Sequence, residues 1–303
     1  MIIYTFKNFL KQQFAFPVRK IPVHTFLGCP HRENRIGSGG CIYCENEGFS
    51  SVKPDLPDVL TQIKNGITYS RRRGFKGKYI AYFQTYTNTF ANPDVLKSWF
   101  QSVLDFPDDI IGLSVSTRPD CLENVVIDHL SEISKLCMVW IELGLQSARD
   151  KTLKLINRGH DYACFEDAVK RIKRFSDLLV STHIILGLPG ESYSDMEFTI
   201  SAINKLNLDG VKIHHLQVVK NTVLADWYSK GDVKVFSENE YINLLTELIP
   251  RLSPKISIHR LVGDIRDDML IAPKWNLTKT QIIQLVEKGL KITGMYQGCL
   301  YSE

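Results

Sequence analysis

Three of the seven cysteines lie close together in the chain, and their spacing is the strongest chemical signal in the sequence. Eleven residues separate Cys29 from Cys41, and two separate Cys41 from Cys44. Thiolates are soft ligands that bind zinc, copper(I) or iron–sulfur clusters. The odd number of cysteines argues against a disulfide framework. The segment is therefore a candidate metal centre.

Three interpretations of this segment remain open from the residue types alone. His31 could complete a structural zinc site with the three thiolates. A [4Fe–4S] cluster held by only three cysteines would leave one iron open to bind another group. The third interpretation is clustering by chance, without a metal. The segment directly follows the first predicted strand, at the sheet edge where barrel enzymes have their active sites, and this favours the open cluster.

Strands and helices alternate along most of the chain. Runs rich in Val and Ile predict strands over residues 21–27, 79–83, 110–115, 137–143, 180–186 and 211–219. Between them, apolar residues at helical spacing predict helices, the first of which begins near Leu56. Six strand–helix units of this kind indicate an α/β protein with a parallel sheet.

The alternation ends near Thr222, and this change sets the predicted domain boundaries. Residues 1–20 form an N-terminal extension, residues 21–225 the main domain and residues 226–303 a C-terminal α+β extension. The last segment has two capping boxes, Ser237 with Glu240 and Thr278 with Gln281, and a predicted strand over residues 256–262. No low-complexity linker separates it from the main domain, so we expect it to pack on that domain.

Composition and charge exclude several protein classes. The chain has 303 residues, of which 44% are hydrophobic and 23% charged, and these values exclude disorder, collagen and a disulfide scaffold. The apolar runs are too short to span a bilayer, and residues 1–16 lack a signal-peptide pattern, so we expect a cytoplasmic protein with no membrane partner. The net charge of +4 includes basic stretches at residues 64–78 and 170–174. These are either solvated helix ends or contacts to nucleic-acid phosphates.

Motifs along nearly the whole chain resemble those of radical S-adenosylmethionine (radical SAM) enzymes, and in particular the YhcC/YtqA-like group related to Elp3 and MiaB. The matching segments are Cys29–His31, Gly40–Cys44, Tyr82–Ala91, Thr117–Asp120, Glu142–Gln146, Asn157–His160, Leu186–Glu191, His259–Arg260 and Ala272–Trp275. The long gap between the first two cysteines is typical of this group. Where many radical SAM enzymes have Gly-Gly-Glu to hold the methionine amine, this chain has Gln84, Thr85 and Tyr86.

The resemblance implies a partial (β/α)6 TIM-type barrel that the C-terminal extension covers. It also implies two cofactors, a [4Fe–4S] cluster on Cys29, Cys41 and Cys44, and S-adenosylmethionine on the open iron. An electron from a flavodoxin- or ferredoxin-like donor would then generate a 5′-deoxyadenosyl radical, which abstracts hydrogen from the substrate.

Period-two alternation indicates which polar residues face the barrel interior. The resemblance and this alternation together give the predicted S-adenosylmethionine contacts as Tyr43, Gln84, Ser116, Arg118, Glu142, Gln146, Arg158, His183 and Gly187. We expect Arg118 or Arg158 to bind the methionine carboxylate and Glu142 or Gln146 to accept from the ribose hydroxyls. Gly187 would let the backbone approach the adenine. Alternatively, Arg158 caps a loop and His183 is a hydrogen-bonded interior histidine.

The resemblance further implies a tRNA substrate, with conversion of 5-carboxymethylaminomethyluridine to 5-aminomethyluridine at the wobble position. Basic residues near or within the extension are the predicted substrate contacts, namely Lys220, Arg260, Arg266 and Lys274. Two other functions remain open. One is a radical SAM enzyme acting on a small metabolite, and the other is a zinc-stabilised binding module without catalysis.

Overall fold

A curled, fully parallel sheet of seven strands forms the centre of the molecule. The structure is a computed structural model, and it describes residues 1–25, 27–45 and 58–302. The strands are Val18–Val23 (β1), Lys78–Phe83 (β2), Ile110–Thr117 (β3), Met138–Gln146 (β4), Leu178–Leu186 (β5), Gly210–His215 (β6), Val218–Val219 (β7), Ser257–Arg260 (β8) and Leu270–Ala272 (β9). In the main sheet they pair in the order β1-β2-β3-β4-β5-β6-β8, and β7 and β9 form a separate antiparallel pair.

Helices connect the strands and cover the outer face of the sheet. The α-helices are Phe6–Gln13 (α1), Val59–Arg72 (α2), Pro93–Gln101 (α3), Asn124–Ser134 (α4), Asp150–Leu155 (α5), Tyr162–Ile172 (α6), Tyr193–Asn204 (α7), Val223–Ser229 (α8), Glu238–Leu248 (α9) and Lys279–Ile292 (α10). Short 3-10 helices span Ser102–Asp105, Pro119–Cys121 and Ile249–Arg251. None of the helices in these described ranges is long and apolar enough to cross a membrane.

The local signals that predicted the helix starts are present as side-chain contacts. Asn92 caps α3 and is followed by Pro93, whose fixed φ suits the first helical position. The capping boxes at Ser237 and Thr278 begin α9 and α10. The apolar faces of these helices pack onto strands that are buried on both faces, which is why the strands read as nearly continuous apolar runs.

The predicted number of strands in the sheet was wrong. The strand placed in the extension at residues 256–262 is β8, and it pairs in parallel with β6 as the seventh strand of the main sheet. The strand predicted over residues 211–219 ends at His215, and Val218–Val219 turns away to pair antiparallel with β9. Strand pairing across about forty intervening residues leaves no local signal.

The first strand begins earlier than predicted, at Val18, and ends at Val23. It therefore includes Lys20, which the predicted boundary had placed in the N-terminal extension. Phe26, within the predicted strand, and Leu56, at the predicted start of the first helix, lie outside the described residues. Helix α1 precedes this strand, and its Phe6 packs against Trp140 and His259 at centroid distances of 5.5 and 4.1 Å.

Candidate functional site

A cavity of about 280 Å³ lies inside the curled sheet, towards the carboxyl ends of the strands. Its wall includes the three clustered cysteines and most of the predicted interior residues, namely Tyr43, Gln84, Ser116, Arg118, Glu142, Gln146, Arg158, His183 and Arg260. Residues that lie far apart in the sequence thus meet around one space. Carboxyl-end loops of a barrel sheet are the usual position of catalytic groups.

The cysteine loop is fastened to the segment that follows α5. The side-chain amide of Asn157 donates to the carbonyls of Ser38 and Gly40, at 2.8 and 2.7 Å. The backbone N–H of Ile42 donates to the carbonyl of Ile156 at 3.1 Å. These bonds hold the loop at the cavity, where its second and third cysteines form a tight turn closed by a bond from the Cys44 N–H to the Cys41 carbonyl.

His31 also fastens this loop and does not point towards the cysteines. Its Nδ1 lies 3.0 Å from the carbonyl of Ile36 and its Nε2 lies 2.8 Å from that of Asn157. With both ring nitrogens directed at carbonyls, neither is available to complete a zinc tetrahedron. Within the described ranges, no three or more His, Cys, Asp or Glu side chains are grouped so as to hold a single metal ion.

The three thiols are half-buried neighbours with basic residues beside them. Burial, assisted by the nearby Cys41 and Cys29, raises the pKa of Cys44 to about 12, whereas Arg32 and Arg158 oppose the shift. Arg158 Nη1 lies 3.8 Å from Cys41 Sγ. Thiolates in this position need compensating positive charge, which a metal cluster and Arg158 would supply. The donor set therefore fits an iron–sulfur cluster held by three soft ligands.

The two predicted carboxylate-binding arginines are in different situations. Arg118 already forms a bidentate pair with Asp120, at 2.9 and 2.8 Å, and a bond to the carbonyl of Arg158 at 2.9 Å. Arg158 donates from Nη2 to the carbonyl of Gly144 at 2.6 Å, while its buried Nε has no partner among the described residues. A Cβ on Gly144 would lie 2.8 Å from that Nη2, so a larger residue there would displace the guanidinium from its position on β4. Arg118 Nη1 is likewise buried without a partner among the described residues, so both arginines keep donor capacity, although Arg118 is already paired with a carboxylate.

Glu142 is the centre of a buried polar network that spans the barrel. Its carboxylate pairs with Lys20 of β1 at 2.6 Å and with Lys212 of β6. It also accepts bonds from Tyr82 at 2.7 Å and from Ser114 at 3.0 Å. Ser116 and His183 approach it at 3.1 and 3.3 Å. Glu142 was predicted to accept from ribose hydroxyls, but these groups already occupy both of its oxygens.

Electrostatics keep this network charged despite its burial. Burial alone would raise the pKa of Glu142, but Lys20 and Lys212 outweigh it and hold that pKa well below the usual value. Burial lowers the pKa of Lys212, and Glu142 counteracts the effect. Burial, assisted by Lys212, lowers the pKa of His183 to about 4, so this imidazole is neutral at pH 7. His183 is therefore a neutral hydrogen-bonding member of the network.

Four predicted residues do not line the cavity. Gly187 has a φ of +84°, and a Cβ there would lie 2.5 Å from the ring of Phe236, so this glycine is required by packing against the C-terminal extension. Lys220 is exposed, and its backbone N–H donates to the carbonyl of Met269. Arg266 pairs with Asp268 at the surface, and Lys274 is exposed. Arg260 is the member of the predicted substrate set that reaches the cavity.

Sequence reasoning missed the partners of Glu142, which are Lys20, Tyr82 and Lys212. A signal was available, since lysines within otherwise apolar strands are rarely buried without a partner. Lys212 is 4% exposed, between Val211 and Ile213. The pairing itself could not be read from the sequence, because Glu142 lies 122 residues from Lys20 and 70 from Lys212.

Comparison with known proteins identifies the family. A family model described as the Radical SAM superfamily matches residues 23–203. The chain belongs to the radical SAM superfamily. A second model, described as the Radical SAM C-terminal domain, matches residues 208–291 of this radical SAM protein. Membership confirms the predicted partial barrel and the predicted cofactor class of a [4Fe–4S] cluster with S-adenosylmethionine.

Individual relatives of this radical SAM protein agree with the family models. It is 35% identical to the uncharacterized protein YtqA of Bacillus subtilis, over 97% of this chain and 91% of YtqA. It is 25% identical to a tRNA uridine(34) acetyltransferase of Methanocaldococcus infernus, over 96% of this chain and 62% of that enzyme. The solved structure of Elp3 from M. infernus, with an N-terminal deletion, superposes with a TM-score of 0.71 at 19% identity. That match covers 92% of this chain and 64% of the other, and it shows a shared fold.

Proposed function

We propose that the protein is a radical SAM enzyme that modifies the wobble uridine of tRNA, converting 5-carboxymethylaminomethyluridine to 5-aminomethyluridine. The observation that carries the catalytic part is the position of three cysteine thiols and a buried polar network on one cavity wall. Family membership supplies the cofactors for that cavity. The identity of the substrate is the part of the proposal that goes beyond family membership.

Within this proposal, Cys29, Cys41 and Cys44 hold the cluster and Arg158 stabilises its negative charge. S-adenosylmethionine occupies the cavity between the cysteines and the Glu142 network, where Arg158, Gln84 and Gln146 offer donors to its methionine and ribose groups. When bound, the two cofactors and an electron from a flavodoxin- or ferredoxin-like protein supply a carbon-centred radical for hydrogen abstraction. The protein's own residues orient these groups and exclude water from them.

The tRNA substrate is supported by relatives and by the size of the cavity. Among the relatives, one that aligns with nearly the whole chain is named a tRNA uridine(34) acetyltransferase. A cavity of about 280 Å³ is too small for a nucleic-acid helix, so only a single nucleotide of the substrate could approach the S-adenosylmethionine within it. A base must leave its stack to enter such a cavity, and anticodon-loop bases are already partly unstacked.

Mass spectrometry of tRNA nucleosides tests the proposal. In a strain that lacks the gene, 5-carboxymethylaminomethyluridine should accumulate and 5-aminomethyluridine should disappear. Anaerobically reconstituted protein with S-adenosylmethionine and a reductant should reverse this on tRNA from that strain, and the Cys41→Ala protein should not. An unchanged nucleoside profile in the deletion strain would reject tRNA wobble modification while leaving family membership intact.

A further inference from the structure

The barrel interior carries more positive than negative charge. Lys212 and Arg260 lie directly opposite each other on the neighbouring strands β6 and β8. Like charges in register on adjacent strands repel, and burial strengthens that repulsion. The single carboxylate between Lys20 and Lys212 is that of Glu142. An arrangement with this cost requires an explanation.

In the described part of the chain, Arg260 lacks a compensating acid. Its guanidinium forms no ion pair or side-chain hydrogen bond with any residue that the structure describes. Asp264, the other nearby carboxylate on the cavity wall, is bound by Lys279. His183, His214 and His259 face the same network, and burial lowers their pKa values, so they add neither compensation nor further charge at pH 7.

Arg260 can be reached by a ligand from two sides. Together with Tyr82 and Lys212, it lines both the cavity beside the cysteines and a second cavity of about 920 Å³. This second cavity runs along α1, between the edge strands β1 and β8, and its wall includes the basic residues Lys7, Lys11 and Arg19. An anionic group would therefore be attracted towards the Lys212–Arg260 pair.

We propose that Lys212 and Arg260 form a binding site for a carboxylate of the substrate. The proposal rests on the function proposed above, because the carboxymethylamino group is the part of that substrate which carries a carboxylate. Arginine offers a planar pair of N–H donors that matches a carboxylate, and Lys212 adds a point charge beside it. The bound carboxylate would neutralise the excess charge. In this way the site would distinguish the substrate from its product, which has lost that group.

Calorimetry with two nucleosides tests the site independently of turnover. We expect the reconstituted protein to bind 5-carboxymethylaminomethyluridine at least about tenfold more tightly than 5-aminomethyluridine, as charge-assisted hydrogen bonds predict. In Arg260→Gln this preference should fall to within about twofold, and Lys212→Met should also reduce it. The control Arg72→Gln, at the exposed end of α2, should retain the full preference. Equal affinities for both nucleosides, or a preference that survives in Arg260→Gln, would overturn the proposal.

Thermal unfolding of the ligand-free protein gives a second readout that a purely structural arginine would not produce. Arg260→Gln should raise the melting temperature, because it removes repulsion from Lys212; a lowered melting temperature would count against the site. A third arm separates this site from the tRNA proposal. N-methylglycine should raise the melting temperature more than its carboxamide, which lacks the carboxylate, in the unmodified protein but not in Arg260→Gln. If this holds while tRNA nucleosides are unchanged in the deletion strain, the carboxylate site stands and the tRNA substrate falls.

Discussion

The carboxylate of Glu142 is 1% exposed and is kept ionised by neighbours from three other strands. Removing a charge from water costs several kcal/mol, which only close partners can offset. Lys20 retains some exposure, with 22% of its side chain accessible, whereas Lys212 is almost fully buried. The network therefore depends on Glu142 more than on either lysine, because within the described ranges its carboxylate is the only acid that the two ammonium groups share.

Glu142→Gln should destabilise the fold strongly. The amide preserves the shape but leaves the buried Lys212 without its counter-ion. Breaking a buried ion pair from one side costs about 3–5 kcal/mol, and the exposure of Lys20 favours the lower end. Urea unfolding at pH 7 measures the loss. Glu132→Gln, on the surface of α4, provides the control and should change the unfolding free energy by less than about 0.5 kcal/mol.

The same carboxylate predicts a pH dependence. Its folded pKa lies well below its usual value, so the ionised form stabilises the fold above the unfolded pKa, which is about 4.3. That stabilisation is lost as the pH falls from about 4.3 towards the folded pKa. The unfolding free energy of the unmodified protein should therefore fall more steeply below this pH than that of Glu142→Gln. Parallel curves for the two proteins would show that folding does not lower the pKa of Glu142.

Each of the three clustered cysteines should be required for the cluster but not for the fold. The larger apolar core lies between the strands and the outer helices, and the cysteine loop joins a smaller apolar cluster through Ile42 rather than through its cysteines. Cys29→Ala, Cys41→Ala and Cys44→Ala should each lose the visible absorbance of the reconstituted cluster while far-UV circular dichroism is unchanged. Cys137→Ala should keep the absorbance. A triple variant that still binds four irons would show that other residues hold the cluster.

At the scale of elements, local sequence patterns predicted the strands and helix starts that depend only on neighbouring residues. Runs rich in Val and Ile predicted the bounds of strands β2 to β6 to within a few residues. Strands that are buried on both faces are rich in these residues whichever strands they pair with. The place of β8 in the main sheet could not be predicted, since it depends on pairing with β6. The Glu142 network has the same origin, for its members come from all six strands β1 to β6. Period-two alternation indicated which face of its strand each side chain lies on, but not which residues of other strands it contacts.

The attachment of the cysteine loop to the segment after α5 can be tested at one residue. Asn157 has a φ of +50°, and its side-chain amide donates two of the bonds that fasten the cysteine loop, to the carbonyls of Ser38 and Gly40. Asn157→Asp tolerates this backbone conformation but cannot donate, so the loop should loosen by about 1 kcal/mol per lost bond. The reconstituted cluster should then lose iron to a chelator several-fold faster. Asn207→Asp, which has a φ of +49° at an exposed position, is the matched control and should behave like the unmodified protein.

For the whole molecule, the question is which end of the barrel meets a polynucleotide. Arg260 and Asp264 line the cavity, so the segment that contains Arg266 continues from its rim. Arg72 lies at the end of α2, just before β2 begins, and therefore at the amino-end rim on the opposite side. Both arginines are exposed, and they differ in position and in the ion pair that Arg266 forms with Asp268. They form a matched pair for locating the tRNA.

Charge reversal at the carboxyl-end rim should weaken tRNA binding more than charge reversal at the amino-end rim. We expect Arg266→Glu and Lys274→Glu to reduce tRNA affinity more than Arg72→Glu, because a tRNA whose base enters the cavity must pass its backbone over the carboxyl-end rim. Each lost phosphate contact should also lower the slope of log affinity against log salt by about 1. Filter binding of tRNA across a series of salt concentrations measures both quantities. The reverse ranking would place the tRNA at the amino-end rim and the cavity entrance at the side of the barrel, along α1.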